Sequence, residues 1–224
     1  MSQGMKYAVD IAFCIDSTGS MSPIIETVKQ AALRFHDDLT AVMNEKSKAI
    51  DTLRVRVISF KDYWADGSKA MTESSFFTLP DDRENFSKCV KEIIADGGGD
   101  EPENGLEALA IAMRSDWSTT GDRRRQLLVV YTDASAHPLD KASKPAGYPV
   151  DLPKNLNDLT DLWEGQAAPV SKNAKRLILY APDAEPWTHI ANSWESTVHY
   201  ASKAGEGLAE VDYKAILNAI ANSV

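Results

Sequence analysis

Apolar positions along this chain fall into short dense runs separated by stretches with helical spacing. Residues 9–15 are mostly apolar and include β-branched side chains, which suits a strand covered on both faces of a parallel sheet. The run stops at Asp16-Ser17-Thr18-Gly19-Ser20. Ser22 and Pro23 then supply a helix cap and a first-turn residue, and residues 24–44 return apolar side chains at helical spacing. Downstream, 53–60 reads as a strand, and 74–79 as a shorter, more polar edge strand reached through a turn at Asp66-Gly67. Residues 82–95 read as a helix. The breaker Gly97-Gly98-Gly99 precedes Asp100-Glu101-Pro102-Glu103, after which 105–114 is helical and 126–131 is a buried strand ending at Thr132-Asp133. The polar stretch 135–153, with several Pro and Gly, is either a structured surface loop or a mobile flap. Residues 155–168 read as a helix, 175–180 and 197–201 as strands, and 211–221 as a closing helix with Asp212 in its first turn. No internal repeat or low-complexity tract interrupts this order.

Alternating strands and helices of these lengths predict an α/β fold. It should have a doubly wound, mostly parallel central sheet with helices on both faces, and one short antiparallel edge strand. A chain of 224 residues suits a single domain spanning 1–224. In such sheets ligands bind outside the carboxyl ends of the strands, where the strand order reverses. That edge is the place to look for chemistry.

Charge narrows the partners. The chain has 24 Lys plus Arg against 33 Asp plus Glu, a net charge of -9, so its summed field repels phosphate backbones and anionic membrane surfaces. Nucleic acid and membrane are therefore not expected partners, and Arg123-Arg124-Arg125 reads as a solvated strand entry. No apolar stretch is long enough to span a bilayer or to form a secretion signal. Cys14 lies inside an apolar run and Cys89 is the other cysteine. Two such residues imply neither a disulfide framework nor a cysteine zinc site, and the expected location is cytoplasmic.

Three polar clusters stand at strand ends or helix starts: Asp16 to Ser20, Asp100 to Glu103, and Thr132-Asp133. Folding as a doubly wound sheet would bring Asp16, Thr18, Ser20, Asp100 and Asp133 to one edge. Carboxylate and hydroxyl oxygens suit Mg²⁺, Mn²⁺ or Ca²⁺, whereas zinc would want His or Cys. Crowded carboxylates repel one another unless a cation sits between them. Simpler roles stand beside this one. The first cluster has the residues of a capping loop. Asp100 either ligates, directly or through water, or is an acid placed favourably at a helix N-terminus, and Glu103 substitutes for it if the loop shifts. Asp62 either rims the site or belongs to a plain turn. His137 reads as a structural group, and the five Trp residues are too scattered to form a stripe.

Asp16-Ser17-Thr18-Gly19-Ser20 resembles the Asp-x-Ser-x-Ser signature of the von Willebrand factor A-type domain, with Thr18 in place of the first serine. The metal-ion-dependent adhesion site of that family also uses a threonine before a helix and an aspartate after a later strand. Asp100 and Asp133 fall at those places. Gly97-Gly98-Gly99-Asp100-Glu101-Pro102-Glu103 and Thr132-Asp133-Ala134-Ser135-Ala136-His137 are similar to a bacterial and protist subset rather than to integrin-type members. The resemblance implies a module, monomeric when free, that binds an unidentified protein partner through one divalent cation and catalyses nothing. Asp100 departs from the family's neutral threonine. The added carboxylate should hold the metal more firmly than an integrin-type site does, and should attract an acidic partner residue less.

Two other functions compete. Asp16, following the first strand, could accept a phosphoryl group from substrate in a Mg²⁺-dependent phosphohydrolase. Haloacid-dehalogenase-like enzymes have that arrangement, but they want a second acid two positions later, where this chain has Thr18. Nucleotide binding ranks last, because no Gly-x-x-x-x-Gly-Lys-Ser/Thr loop occurs.

Overall fold

A computed structural model describes residues 7–32, 34–99, 101–202 and 213–223. The elements run β1 (Tyr7–Asp16), α1 (Ser22–Ala32), α2 (Phe35–Glu45), β2 (Thr52–Phe60), α3 (Tyr63–Asp66), β3 (Met71–Glu73), β4 (Phe77–Leu79) and α4 (Arg83–Lys91). They continue as α5 (Gly105–Met113), β5 (Arg123–Tyr131), α6 (Leu156–Glu164), β6 (Lys175–Pro182), α7 (Trp187–Ser193), β7 (Thr197–Ser202) and α8 (Tyr213–Ser223). The sheet order is β3-β2-β1-β5-β6-β7, with β4 also paired to β2. β1, β2, β5, β6 and β7 are mutually parallel, whereas β3 and β4 run antiparallel to β2. Strand order reverses between β1 and β5, so the crevice outside Asp16 and Tyr131 is the topological switch point.

Period-2 alternation in the buried strands feeds two cores. Val9, Ile11, Phe13 and Ile15 face Phe35, Leu39 and Met43 of α2 and Ile216, Leu217 and Ile220 of α8. Ala12 and Cys14 face the other way, toward Leu106, Leu109 and Met113 of α5 and toward Trp163 and Trp187. Small residues at 12 and 14 let α5 approach the sheet closely. Burial pushes the Cys14 thiol up to about 12, and its Sγ lies 3.6 Å from the Ala108 carbonyl, so it behaves as a core hydrophobe. Of the five tryptophans, Trp117, Trp163, Trp187 and Trp194 are buried core residues. Among the described residues, no helix is long and apolar enough to cross a membrane.

The elements depart from sequence expectation in three places. The single helix expected over 24–44 is two, α1 and α2, with Leu33 outside the described residues. The helix expected to reach residue 95 stops at Lys91, because the chain leaves the helix axis to let Asp96 N–H donate to the Ser17 carbonyl at 3.1 Å. The edge strand expected over 74–79 is only Phe77–Leu79, and a second antiparallel strand, β3, precedes it outside the expected range. Between the pairs Ile58↔Glu73 and Val55↔Phe77 the edge carries one more residue than β2 does, which is a β-bulge. Ser74 fills it, its N–H donating to the Val57 carbonyl and its Oγ accepting from Val57 N–H. The expected closing helix falls on α8, but Val211 and Asp212 lie outside the described residues.

Candidate functional site

Asp16 is the last residue of β1 and is fully buried. Its Oδ1 accepts from Thr18 N–H at 2.9 Å and from Thr18 Oγ1 at 2.6 Å, which curls the loop around the carboxylate. Its Oδ2 accepts from Thr132 Oγ1 at 2.7 Å, just past the end of the neighbouring β5. The Ser20 hydroxyl donates to Asp133 Oδ1 at 3.0 Å and lies 3.5 Å from Thr18 Oγ1. Asp16, Thr18, Ser20 and Asp133 thus form one continuous set of oxygens across the switch point. Asp100 lies outside the described residues.

The Gly97-Gly98-Gly99 loop closes over this set. Gly97 and Gly98 both adopt positive φ, 62° and 76°, a region that side chains with a Cβ rarely enter. A Cβ on Gly98 would sit 2.7 Å from Thr18 Cγ2 and 3.0 Å from Glu103 Oε1. The glycines therefore serve close approach as well as the turn. Gly98 N–H donates to Asp66 Oδ2 at 3.0 Å, and Lys61 pairs with Asp96 at the loop's start.

Glu103 enters beneath this loop. Its backbone bridges to Ala136, its N–H donating to the Ser135 carbonyl and its carbonyl accepting from His137 N–H. The side chain is buried, and Oε2 has no hydrogen-bond partner among the described residues. Burial, reinforced by the charges of Asp16, Asp62, Asp66 and Asp133, pushes its carboxyl up to about 9. Burial also raises Asp16, to about 6, against the lowering effect of the Thr18 and Thr132 hydrogen bonds. Among the described residues no three His, Cys, Asp or Glu side chains converge tightly enough to hold a metal by themselves. The donor set consists instead of aspartates bridged by hydroxyls, with an orphaned carboxylate oxygen beside them. That chemistry fits a hard cation that keeps some of its waters.

Asp62 caps α3, its Oδ1 accepting from Trp64 N–H at 2.9 Å, and the same oxygen is 3.1 Å from His137 Nε2. His137 Nδ1 is 3.3 Å from Lys141 Nζ. An ammonium has only protons to offer, so Nδ1 accepts and Nε2–H donates to Asp62. Burial lowers the His137 pKa despite Asp62, in keeping with a neutral ring. This network, with Lys141 Nζ 3.8 Å above the Trp64 ring and Tyr148 Oη donating to Glu107 Oε1 at 2.6 Å, docks residues 136–153 onto α3 and α5. Of the two readings of that stretch, the structured loop is the one observed.

A family model described as von Willebrand factor A domain matches residues 10–144, more than half of the chain. The chain belongs to the von Willebrand factor A domain family. An alpha-protein kinase, vwkA, of Dictyostelium discoideum is 27% identical over 154 residues, covering 69% of this chain and 23% of that protein. The pilus adhesin SpaC of Lactobacillus rhamnosus GG superposes with TM-score 0.57 at 12% identity, over 98% of this chain and 31% of its own. A von Willebrand factor type A protein from Catenulispora acidiphila gives TM-score 0.52 at 15% identity, over 97% and 43%. This domain therefore spans about a quarter of the kinase relative and less than half of either solved structure. The two structures establish the shared fold of this von Willebrand factor A domain.

Two site residues escaped the sequence-based ligand set. Thr132 stood beside Asp133 in a recognised cluster, yet its role in holding Asp16 needed the strand register to appear. Glu103 stands in the sequence as the alternative to Asp100, and no feature of the sequence ranks it ahead.

Proposed function

We propose that this domain is a protein-interaction module whose carboxyl sheet edge holds one divalent cation, Mg²⁺ or else Mn²⁺ or Ca²⁺, in a metal-ion-dependent adhesion site. Asp16, Thr18, Ser20 and Asp133 would ligate it directly or through water, with Asp100 as a further ligand. Glu103, whose carboxyl is held up at about 9 by burial and by the neighbouring acids, would ionise beneath them as a bound cation offsets that repulsion. The observation that carries the reading is the join between Ser20 and Asp133 across the switch point, beside a buried carboxylate oxygen of Glu103 with no partner among the described residues. A bound cation would neutralise acids that otherwise repel one another and present an open position to a partner protein. The adhesin name of one structural neighbour agrees with an interaction role. The kinase name of the sequence relative belongs to a protein of which this chain covers 23%, and its activity is not carried over. The domain is proposed to act in the cytoplasm, both of its cysteines being free thiols.

The competing phosphohydrolase reading needs Asp16 as nucleophile and an acid two positions on. Thr18 stands at that position with a hydroxyl in place of the acid, so turnover is not expected. Thermal unfolding with and without Mg²⁺ tests the proposal. A cation at about a hundredfold its Kd adds about 2.7 kcal/mol, which raises the midpoint of a domain this size by about 5–10 °C. Asp133→Asn should abolish the rise. No rise in the wild-type protein, or release of phosphate from p-nitrophenyl phosphate that depends on Asp16, would sink the reading.

A further inference from the structure

Residues 139–154 enclose among themselves a groove of about 390 Å³, large enough to take an apolar side chain with part of its backbone. Leu139, Tyr148 and Leu152 contribute apolar walls, and Val150 stands at the rim with 93% of its surface exposed. Lys141, Lys144 and Lys154 also line it, against a single carboxylate, Asp140. In a chain of net charge -9, a groove with three ammoniums to one acid is a local reversal of sign.

Two of these cations are held in place. Lys141 Nζ lies over the Trp64 ring and against His137, while Lys144 Nζ donates to the Leu139 carbonyl at 2.7 Å and lies 4.2 Å from the Tyr148 ring centre. None of the three lysines forms an ion pair with a carboxylate among the described residues. Fixed ammoniums over aromatic faces lose little entropy when an anion arrives. Lys141 is linked through the buried His137 to Asp62, which lies against the Gly99 end of the loop over the candidate cation edge, so the groove and that edge are braced by one buried network.

We propose that this groove docks a short acidic segment of the partner protein, carrying one apolar side chain, and that Lys141, Lys144 and Lys154 receive its carboxylates. The proposal deepens the protein-interaction reading and rests on it. It also divides the work of recognition. The acid-rich metal edge repels a partner carboxylate, and the adjoining lysine groove accepts it.

The test is fluorescence anisotropy on the full chain with a labelled peptide of Glu, Asp, Leu and Phe, and with a control in which Lys replaces the acids. Each is measured with Mg²⁺ and with chelator. The acidic peptide should bind and lose about tenfold or more in affinity between about 50 mM and 500 mM salt. The Lys control should not bind. A Lys144→Glu and Lys154→Glu double variant should weaken binding about tenfold, and so should Val150→Asp, at a site too exposed to disturb folding. Equal binding of both peptides, no binding of the acidic one, or indifference to these substitutions overturns the groove. A Mg²⁺-induced rise in midpoint would in that case leave the metal reading standing. Conversely, salt-sensitive binding in chelator without any Mg²⁺ response supports the groove and removes the metal.

Discussion

At the scale of single residues, Glu103 and Asp16 carry the electrostatics of the edge. Both have folded-state values raised above their unfolded ones, by burial first and by neighbouring acids second. The stability each contributes is therefore full below about pH 4 and is lost as pH rises, through about 6 for Asp16 and about 9 for Glu103. In chelator, the unfolding midpoint is expected to fall from about pH 5 to about pH 9. Glu103→Gln should flatten the upper part of that fall, and an unchanged slope would remove Glu103 from the account. Mg²⁺ should act in the opposite sense and stabilise more at higher pH, because its ligands must be deprotonated.

At the scale of elements, loops brought together from distant parts of the chain form the edge, and glycine permits their contact. Gly98→Ala combines a left-handed backbone with a Cβ 2.7 Å from Thr18. A loss of roughly 3 kcal/mol is expected, together with loss of the Mg²⁺ response as Thr18 shifts. Gly147→Ala, also at positive φ but with no atom nearer than 3.6 Å, should cost roughly 1–2 kcal/mol and keep that response. Equal effects of the two variants, read as unfolding midpoints with and without Mg²⁺, would show that close approach at Gly98 does not matter. The bulge at Ser74 carries a related lesson. Residues 74–79 read as one short polar strand, but only Phe77–Leu79 pair as β4, because Ser74 sits in a bulge bonded to Val57, and no local pattern announces a bulge.

At the scale of the molecule, the two ends of the sheet do different things. The carboxyl end gathers Asp16, Thr18, Ser20, Asp133 and the buried Glu103. At the opposite end Asp10, almost fully buried, takes two bonds from Arg54 at 2.8 and 2.6 Å and one from Ser118 N–H at 2.6 Å. Removing one partner of a buried pair strands the other, so Asp10→Ala is expected to cost roughly 3 kcal/mol, seen as a midpoint lower by about 6–12 °C. The Mg²⁺-induced rise should survive in that variant, since no part of the edge is touched. Loss of the rise there would mean that the two ends are coupled.

The sequence by itself determined the doubly wound sheet, because the buried runs at 9–15, 53–60, 126–131 and 175–180 can satisfy their backbones and cover both faces only as parallel neighbours. It determined the place of the candidate site too, since Asp16 and the pair Thr132-Asp133 directly follow two of those runs. Only the tertiary structure decided which side chains share that place. Glu103 reaches it through a bridge to Ala136, Thr132 through the register of β5 against β1, and His137 through the folding back of 136–153 onto α3. Each depends on distances between segments far apart in the chain. Local periodicity reports which face of an element is buried, and the packing of whole elements sets what each face meets.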